Sequence, residues 1–151
     1  MTIREATRAD ITNVQGIELA SYPDPWPRSL FHLMLGRSPR LFLVAEEDGT
    51  VVGYTIGEME RKGQRVVGHL MNIAIDMSHR RRGISMALMD ELEKRFAERG
   101  ASTSCLEVRV GNDVARGLYK MRGYVEVGIL PGYYRGEDGI VMEKPLGATL
   151  L

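Results

Sequence analysis

Apolar and polar positions alternate from Thr2 to Thr7, so the chain opens on a short predicted strand. From Arg8 the period lengthens, and Ile11, Val14, Ile17 and Leu19 follow helical spacing with Thr7 as the N-cap. Pro23, Pro25 and Pro27 break this helix and set Trp26 in a rigid loop, and Pro27 can enter the first turn of a second helix through Leu35. Leu41 to Ala45, the turn pair Asp48-Gly49, and Val51 to Glu58 read as a β-hairpin, with a second turn at Arg61 to Gln64. Val66 to Asp76 is almost continuously apolar, which predicts a strand covered on both faces. After a turn over Met77 to Arg82, a strong helical stripe follows in Ile84, Ala87, Leu88, Leu92 and Phe96, stopped by Gly100.

Ser104 to Val110 alternates again, with Leu106, Val108 and Val110 on one face and Cys105, Glu107 and Arg109 on the other. Asn112 can cap a helix carrying Val114, Leu118 and Met121, which Gly123 closes. Tyr124 to Ile129 and Ile140 to Lys144 are the last strands, around a Pro131-Gly132 turn. Neither a linker nor an internal repeat interrupts this order, β-α-α-β-β-β-α-β-α-β-β, which predicts one α+β domain over residues 1–151 built on a mixed sheet.

Charge narrows the function classes. Twenty basic residues balance twenty acidic ones in 151 residues, which argues against a nucleic-acid binder, whose affinity rests on many phosphate-neutralising cations. The N-terminus lacks a signal-peptide core, and no apolar run approaches the ~20 residues of a membrane span. With a single cysteine, Cys105, no internal disulfide can form, so the expected location is the cytoplasm. His32, His69 and His79 show no metal spacing, so no metal site is expected. The nine methionines read mostly as core positions, Met86, Met89 and Met121 among them.

The basic residues nevertheless cluster. His79-Arg80-Arg81-Arg82-Gly83-Ile84-Ser85 lies between the apolar strand and the long helix. A helix start presents unpaired N–H groups and a favourable dipole to an anion, and Gly83 permits close backbone approach, so a pyrophosphate fits there. The competing reading is a solvated helix start that serves solubility. It is neither a Walker A loop nor a Gly-x-Gly-x-x-Gly turn.

Other motifs decide between these. Arg80-x-x-Gly83-x-Ser85 resembles the Arg/Gln-x-x-Gly-x-Gly/Ala signature of the GNAT acetyltransferase superfamily, with Ser85 departing at the last position. Its setting, between Asn72-Ile73-Ala74-Ile75-Asp76 and a long helix, matches that family. Leu106-Glu107-Val108-Arg109, Asn112, and Leu118-Tyr119-x-x-x-Gly123-Tyr124 resemble its second half, and Gly132-Tyr133-Tyr134-x-Gly136-Glu137-Asp138 is similar to the ending of the RimI and archaeal Ard-type protein N-terminal acetyltransferases. The likeness covers nearly the whole chain.

That resemblance implies a layered α/β/α form of the α+β class, a mixed, mostly antiparallel sheet whose central strands splay apart. It implies acetyl-CoA as cofactor, its pantetheine arm along Ile73, Ala74 and Ile75, its pyrophosphate on the amides of Arg81, Arg82, Gly83, Ile84, Ser85 and Met86, and Asn112 and Tyr119 completing the contacts. Glu107 is implied as the base that takes the amine proton, directly or through water, and Tyr119 as the acid for the departing thiolate. The alternatives are a strand glutamate paired to Arg109 or Arg116, and a tyrosine packed in the core. Tyr133, Tyr134 and Trp26 are the candidate acceptor contacts, with Glu18 or Asp24 weaker candidates for the peptide ammonium. Cys105 reads as a small strand residue, since acetyl passes directly from cofactor to amine in this family. The implied acceptor is a protein or peptide N-terminus, with ribosome association and a monomer or weak homodimer as expectations. Lysine side chains, polyamines or another small amine are alternative acceptors, and a non-catalytic acyl-CoA-binding module is the alternative of another class.

Overall fold

The computed structural model describes residues 1–147. The strands are β1 (Thr2–Glu5), β2 (Phe42–Glu47), β3 (Thr50–Lys62), β4 (Arg65–Ile75), β5 (Thr103–Arg109), β6 (Val125–Tyr134) and β7 (Glu137–Pro145). The helices are α1 (Ile11–Ser21), α2 (Arg28–Arg37), α3 (Ile84–Glu98) and α4 (Asp113–Met121). Their order is the one the hydrophobic pattern predicts. The residues group into two compact units: Met1–Glu58 with Met71–Arg95, and Met59–Leu70 with Phe96 onward.

In the first unit β1, β2 and β3 pair antiparallel, and β4 lies beside β3. Its core gathers Ile11, Val14 and Ile17 from α1, Phe31 and Met34 from α2, and Phe42, Val44, Tyr54 and Ile56 from the strands. Phe31 touches Trp26, Phe42 and Tyr54 at ring-centroid distances of 5.5, 6.3 and 5.8 Å, the last edge to face. Full burial of such a ring stabilises by roughly 1.5–3 kcal/mol, with a further ~0.5–1.5 kcal/mol for favourable ring pairs. A capping box starts the first helical turn, the Asp10 side chain accepting from the Thr7 backbone at 2.7 Å. Leu19, predicted inside, is 59% exposed, because Glu18 rather than Leu19 continues the inward stripe of α1.

In the second unit β4 pairs parallel with β5 from Val67↔Thr103 to His69↔Cys105. The antiparallel β5–β7 ladder runs farther, from Thr103↔Pro145 to Arg109↔Gly139, and β6 pairs antiparallel with β7 at the edge. Gly68 is required here: a Cβ on it would stand 2.1 Å from the Phe96 ring, so the ring packs directly on the strand backbone. The sheet is thus mixed, with the parallel β4–β5 pairing beside antiparallel ones, as expected.

The turn before β7 and the exposure of several residues differ from the sequence reading. β4 is not covered on both faces, since His69, Met71, Asn72 and Ile73 are only half-buried. β6 runs through Pro131-Gly132 and turns at Arg135-Gly136 instead. An edge strand tolerates the missing N–H of proline, and the register breaks between Leu130 and Tyr134 while the Gly132 N–H donates to Asp138 Oδ1 at 2.8 Å. Val114 and Met121 of α4 are each 86% exposed, because the inward stripe is Ala115, Leu118 and Tyr119. Met86 is 41% exposed, whereas Met89 is buried.

Candidate active site

Each unit carries one group of the candidate residues. In the first, the strand β4 ends at Ile75 and a single 3-10 turn over Met77–His79 leads to the basic segment. Arg81 and Gly83 both adopt left-handed backbone, φ +66° and +77°. This is costly for arginine and natural for glycine. Ala87 N–H bonds back to Gly83 O at 3.1 Å, so α3 begins here, and its first turn leaves the N–H groups of Ile84, Ser85 and Met86 without intrahelical partners. Buried Ile84 anchors that turn from beneath. A Cβ built on Gly83 would meet nothing within 4 Å. Open space above a glycine, free helix amides and three exposed arginines together suit a pyrophosphate. Arg82 also meets the Glu47 carboxylate at 3.2 Å, a surface pair of small worth.

The β4 edge that would meet a pantetheine arm is already in use. The Tyr22 hydroxyl donates to Ile73 O, and Arg80 Nε donates to Ile75 O at 3.2 Å. Glu18 turns out to be a buried anchor in place of an exposed ammonium contact. Its carboxylate accepts from the Tyr54 hydroxyl, from Asn72 Nδ2 at 2.9 Å and from the Trp26 N–H at 2.9 Å. Three donors compensate the burial of that charge and fix the Trp26 loop to α1. Trp26 itself is partly buried against the core.

The second group centres on Glu107. His69 on β4 and Cys105 on β5 are register partners, so Glu107, two residues on, faces the same side of the sheet as both. His69 Nε2 lies 2.7 Å from Glu107 Oε1, and His69 Nδ1 lies 2.7 Å from Glu60 Oε2 on β3. Burial pulls the imidazole toward its neutral form, but the hydrogen bond and charge of Glu107, then those of Glu60, outweigh it and push the ring up to about 9. The Tyr133 hydroxyl also bonds Glu107, and this phenol is raised first by burial and then by that carboxylate. Nearby, Arg109 reaches Glu137 at 3.5 Å and Arg116 reaches Glu126 at 2.7 Å.

The rest of this group fits around it. Arg109 stacks over the Tyr134 ring at 4.4 Å, and Tyr133 and Tyr134 meet edge to face at 5.0 Å. Tyr133 leans on Gly139, where a Cβ would come within 3.1 Å of it. Asn112 caps α4, its side-chain oxygen accepting from the Ala115 N–H at 3.1 Å. Tyr119 packs on Tyr124 at 6.0 Å, and burial alone raises its phenol, which keeps it a proton donor. The Tyr134 phenol is pushed up by burial first and then by Tyr133, Glu107 and Tyr119, so these side chains share one electrostatic neighbourhood. Cys105 is buried and its thiol raised to about 11 by burial, the opposite of an activated nucleophile.

The sequence reading gives Glu107 neither His69 nor Glu60 as a partner, and names His69 only as lacking metal-ligand spacing. The signal was present in its alternation: His69 is the one ionisable side chain between Val66 and Ile75, two residues before Met71 and opposite an alternating strand.

Known proteins bear on this arrangement. The acetyltransferase (GNAT) family model matches residues 11–124. An N-alpha-acetyltransferase of Sulfurisphaera tokodaii is 36% identical over 154 residues, covering 95% of this chain and 92% of its own. The N-alpha-acetyltransferase RimI of Mycobacterium tuberculosis is 32% identical over 151 residues, covering 97% and 94%. The crystal structure of Ard1 from Thermoplasma volcanium superposes with a TM-score of 0.90 at 31% identity, covering 97% of this chain and 98% of that one. The fold, the basic turn before α3 and the match over three quarters of the length agree: this chain belongs to the GNAT acetyltransferase family and is an acyltransferase.

Proposed function

We propose that the chain, acting as one domain, transfers the acetyl group of acetyl-CoA to the α-amine of a protein or peptide N-terminus. The observation that carries this reading is the Glu107 carboxylate, held at Oε1 by His69 and approached by Tyr133, on the same strand position the N-terminal acetyltransferase resemblance marks. Relatives named for N-alpha-acetylation along nearly the whole chain support the acceptor class.

Acetyl-CoA supplies an activated thioester. Ile73, Ala74 and Ile75 would bind its pantetheine by backbone, and the amides from Arg81 to Met86 its pyrophosphate, with the arginines assisting. Tyr22 and Arg80, which donate to the carbonyls of Ile73 and Ile75, would border the bound arm. An α-amine with a pKa near ~8 arrives largely as ammonium at neutral pH, so it must lose a proton before it attacks. Glu107 takes that proton, directly or through a water. The amine nitrogen then bonds the acetyl carbon, the carbon–sulfur bond breaks, and the Tyr119 hydroxyl protonates the thiolate. The remaining amine proton restores Tyr119, and the one on Glu107 leaves to solvent, so each turnover yields one acetylated amine, one thiol and one proton. Tyr133, Tyr134 and Trp26 are the proposed contacts of the acceptor chain. The proposed setting is the cytoplasm, with the ribosome as a source of the acceptor N-termini.

Thiol release from acetyl-CoA, followed with matched peptides bearing free or blocked N-termini, tests this. Turnover confined to free α-amines supports the proposal. Equal turnover of a blocked peptide with an internal lysine, or of a polyamine, points to the other acceptor classes, and binding without release to a sensor module.

A further inference from the structure

Three side chains on neighbouring strands form a line in the second unit: Glu60 on β3, His69 on β4 and Glu107 on β5. Both ring nitrogens are engaged, each 2.7 Å from a carboxylate oxygen. A neutral imidazole has one donor and one acceptor, whereas a carboxylate only accepts. Satisfying both contacts therefore takes the doubly protonated ring. The Glu60 side chain is 32% exposed, against 15% for His69 and 16% for Glu107, so it forms the solvent-side end of the line.

We infer that Glu60 is a positioning residue for the proposed transfer, which holds His69 doubly protonated and thereby fixes the Glu107 carboxylate for the acceptor amine. The inference rests on the N-terminal transfer reading. The sequence separation argues for a dedicated arrangement, because the residues come from three strands and their only common feature is this ring. Glu60 without His69 would be an ordinary strand carboxylate, and His69 without Glu60 would donate to Glu107 as a single-sided contact that can rotate away. Among the described residues, other ionisable groups facing the line are Lys62 on β3, Cys105 on β5, Tyr133 and Tyr134 on β6 and Glu143 on β7. Lys62 reaches Cys105 Sγ at 4.0 Å, Glu143 meets Arg65, and Tyr133 bonds Glu107, while the ring itself is bonded by the two carboxylates. With one positive ring between two negative groups the line keeps a net negative charge, which suits an ammonium arriving at Glu107.

The test is an NMR titration of the His69 imidazole in the full chain, with pH profiles of kcat/KM for a free-amine peptide, in wild type, E60Q, E60A and E60D. E60Q keeps an acceptor for the Nδ1 proton and removes the charge; E60A removes both. The expected result is a His69 midpoint at least one pH unit lower in E60Q and E60A, and kcat about tenfold lower in E60Q. The KM for acetyl-CoA stays within twofold, and the alkaline limb of the profile moves down with the midpoint. E60D, which keeps the charge, recovers part of both. Either of the first two variants suffices if the other fails to fold. A wild-type midpoint in a folded E60Q or E60A overturns the inference, as does lost activity with an unmoved midpoint, which would leave Glu60 a purely structural residue. Should wild type acetylate no N-terminal amine, the transfer reading fails by itself. The titration still decides whether Glu60 sets the charge of the ring.

Discussion

The Nε2 atom of His69 lies 2.7 Å from Oε1 of Glu107, across the one stretch where β4 and β5 pair in parallel. Parallel register puts His69 opposite Cys105, and the two-residue repeat of a strand then delivers Glu107 to the same face. The contact is thus a product of strand register, and the base candidate of the proposed reaction is oriented by backbone pairing before any substrate arrives.

This pair makes stability depend on pH in a defined direction. Outweighing burial, Glu107 and then Glu60 push the ring up to about 9 in the fold, against ~6.5 in an unfolded chain. The folded value is raised, so the contribution is fully present below pH ~6.5 and is lost as pH rises through about 9. Its size is at most roughly 3 kcal/mol for a group this buried. Urea unfolding of wild type should show stability falling between pH 6.5 and 9.5 more steeply than H69Q does. Parallel curves for the two proteins would mean that the ring carries no extra proton in the fold.

Tyr119 is proposed to return a proton to the thiolate, and burial favours its protonated form. Y119F should lower kcat by about a hundredfold, with the affinity for coenzyme A changed less than threefold and an unchanged melting temperature. Titration calorimetry with coenzyme A beside steady-state kinetics separates these effects. A Y119F enzyme with wild-type kcat would remove the phenol from the mechanism.

Gly83 sits at φ +77° with open space above it. An alanine there is strained by about 1 kcal/mol and projects a methyl toward the proposed pyrophosphate. G83A should weaken acetyl-CoA binding by tenfold or more while costing only a few degrees of melting temperature. Unchanged affinity would place the phosphates elsewhere.

Gly68 tests the packing of the second unit. Since a Cβ would overlap the Phe96 ring at 2.1 Å, G68A must displace an aromatic ring that is wholly buried. The expected cost is about 1–3 kcal/mol or more, read as a lower midpoint in chemical denaturation. F96L in the G68A background should recover part of it, because a smaller side chain relieves the overlap.

The sequence was most legible where one physical rule dominated. Among the described residues, periodicity located the strands and α-helices in order, though not the short 3-10 turns, and Gly83 with the arginines marked the basic turn. Errors arose where tertiary geometry decided the outcome. Leu19 and Glu18 exchange inward places because Glu18 has three donors waiting, from Tyr54, Asn72 and Trp26. Pro131 read as a turn, yet an edge strand accommodates it. Val114 and Met121 read as core because both are apolar, but the inward face of α4 is set by Ala115, Leu118 and Tyr119. At the site, Glu107 was visible from strand alternation and family likeness. Its partners were not, since His69 and Glu60 lie 38 and 47 positions away and only strand register joins them to it.

The most direct measurement is the turnover of E107Q with a peptide bearing a free N-terminus, beside its affinity for acetyl-CoA. The glutamine keeps the size of the side chain and an oxygen for His69 but cannot take the amine proton. The account predicts kcat at least a hundredfold below wild type with acetyl-CoA affinity within threefold, the loss lessening as pH rises past ~8 and more of the amine is already neutral. Wild-type turnover in a folded E107Q at neutral pH would contradict it.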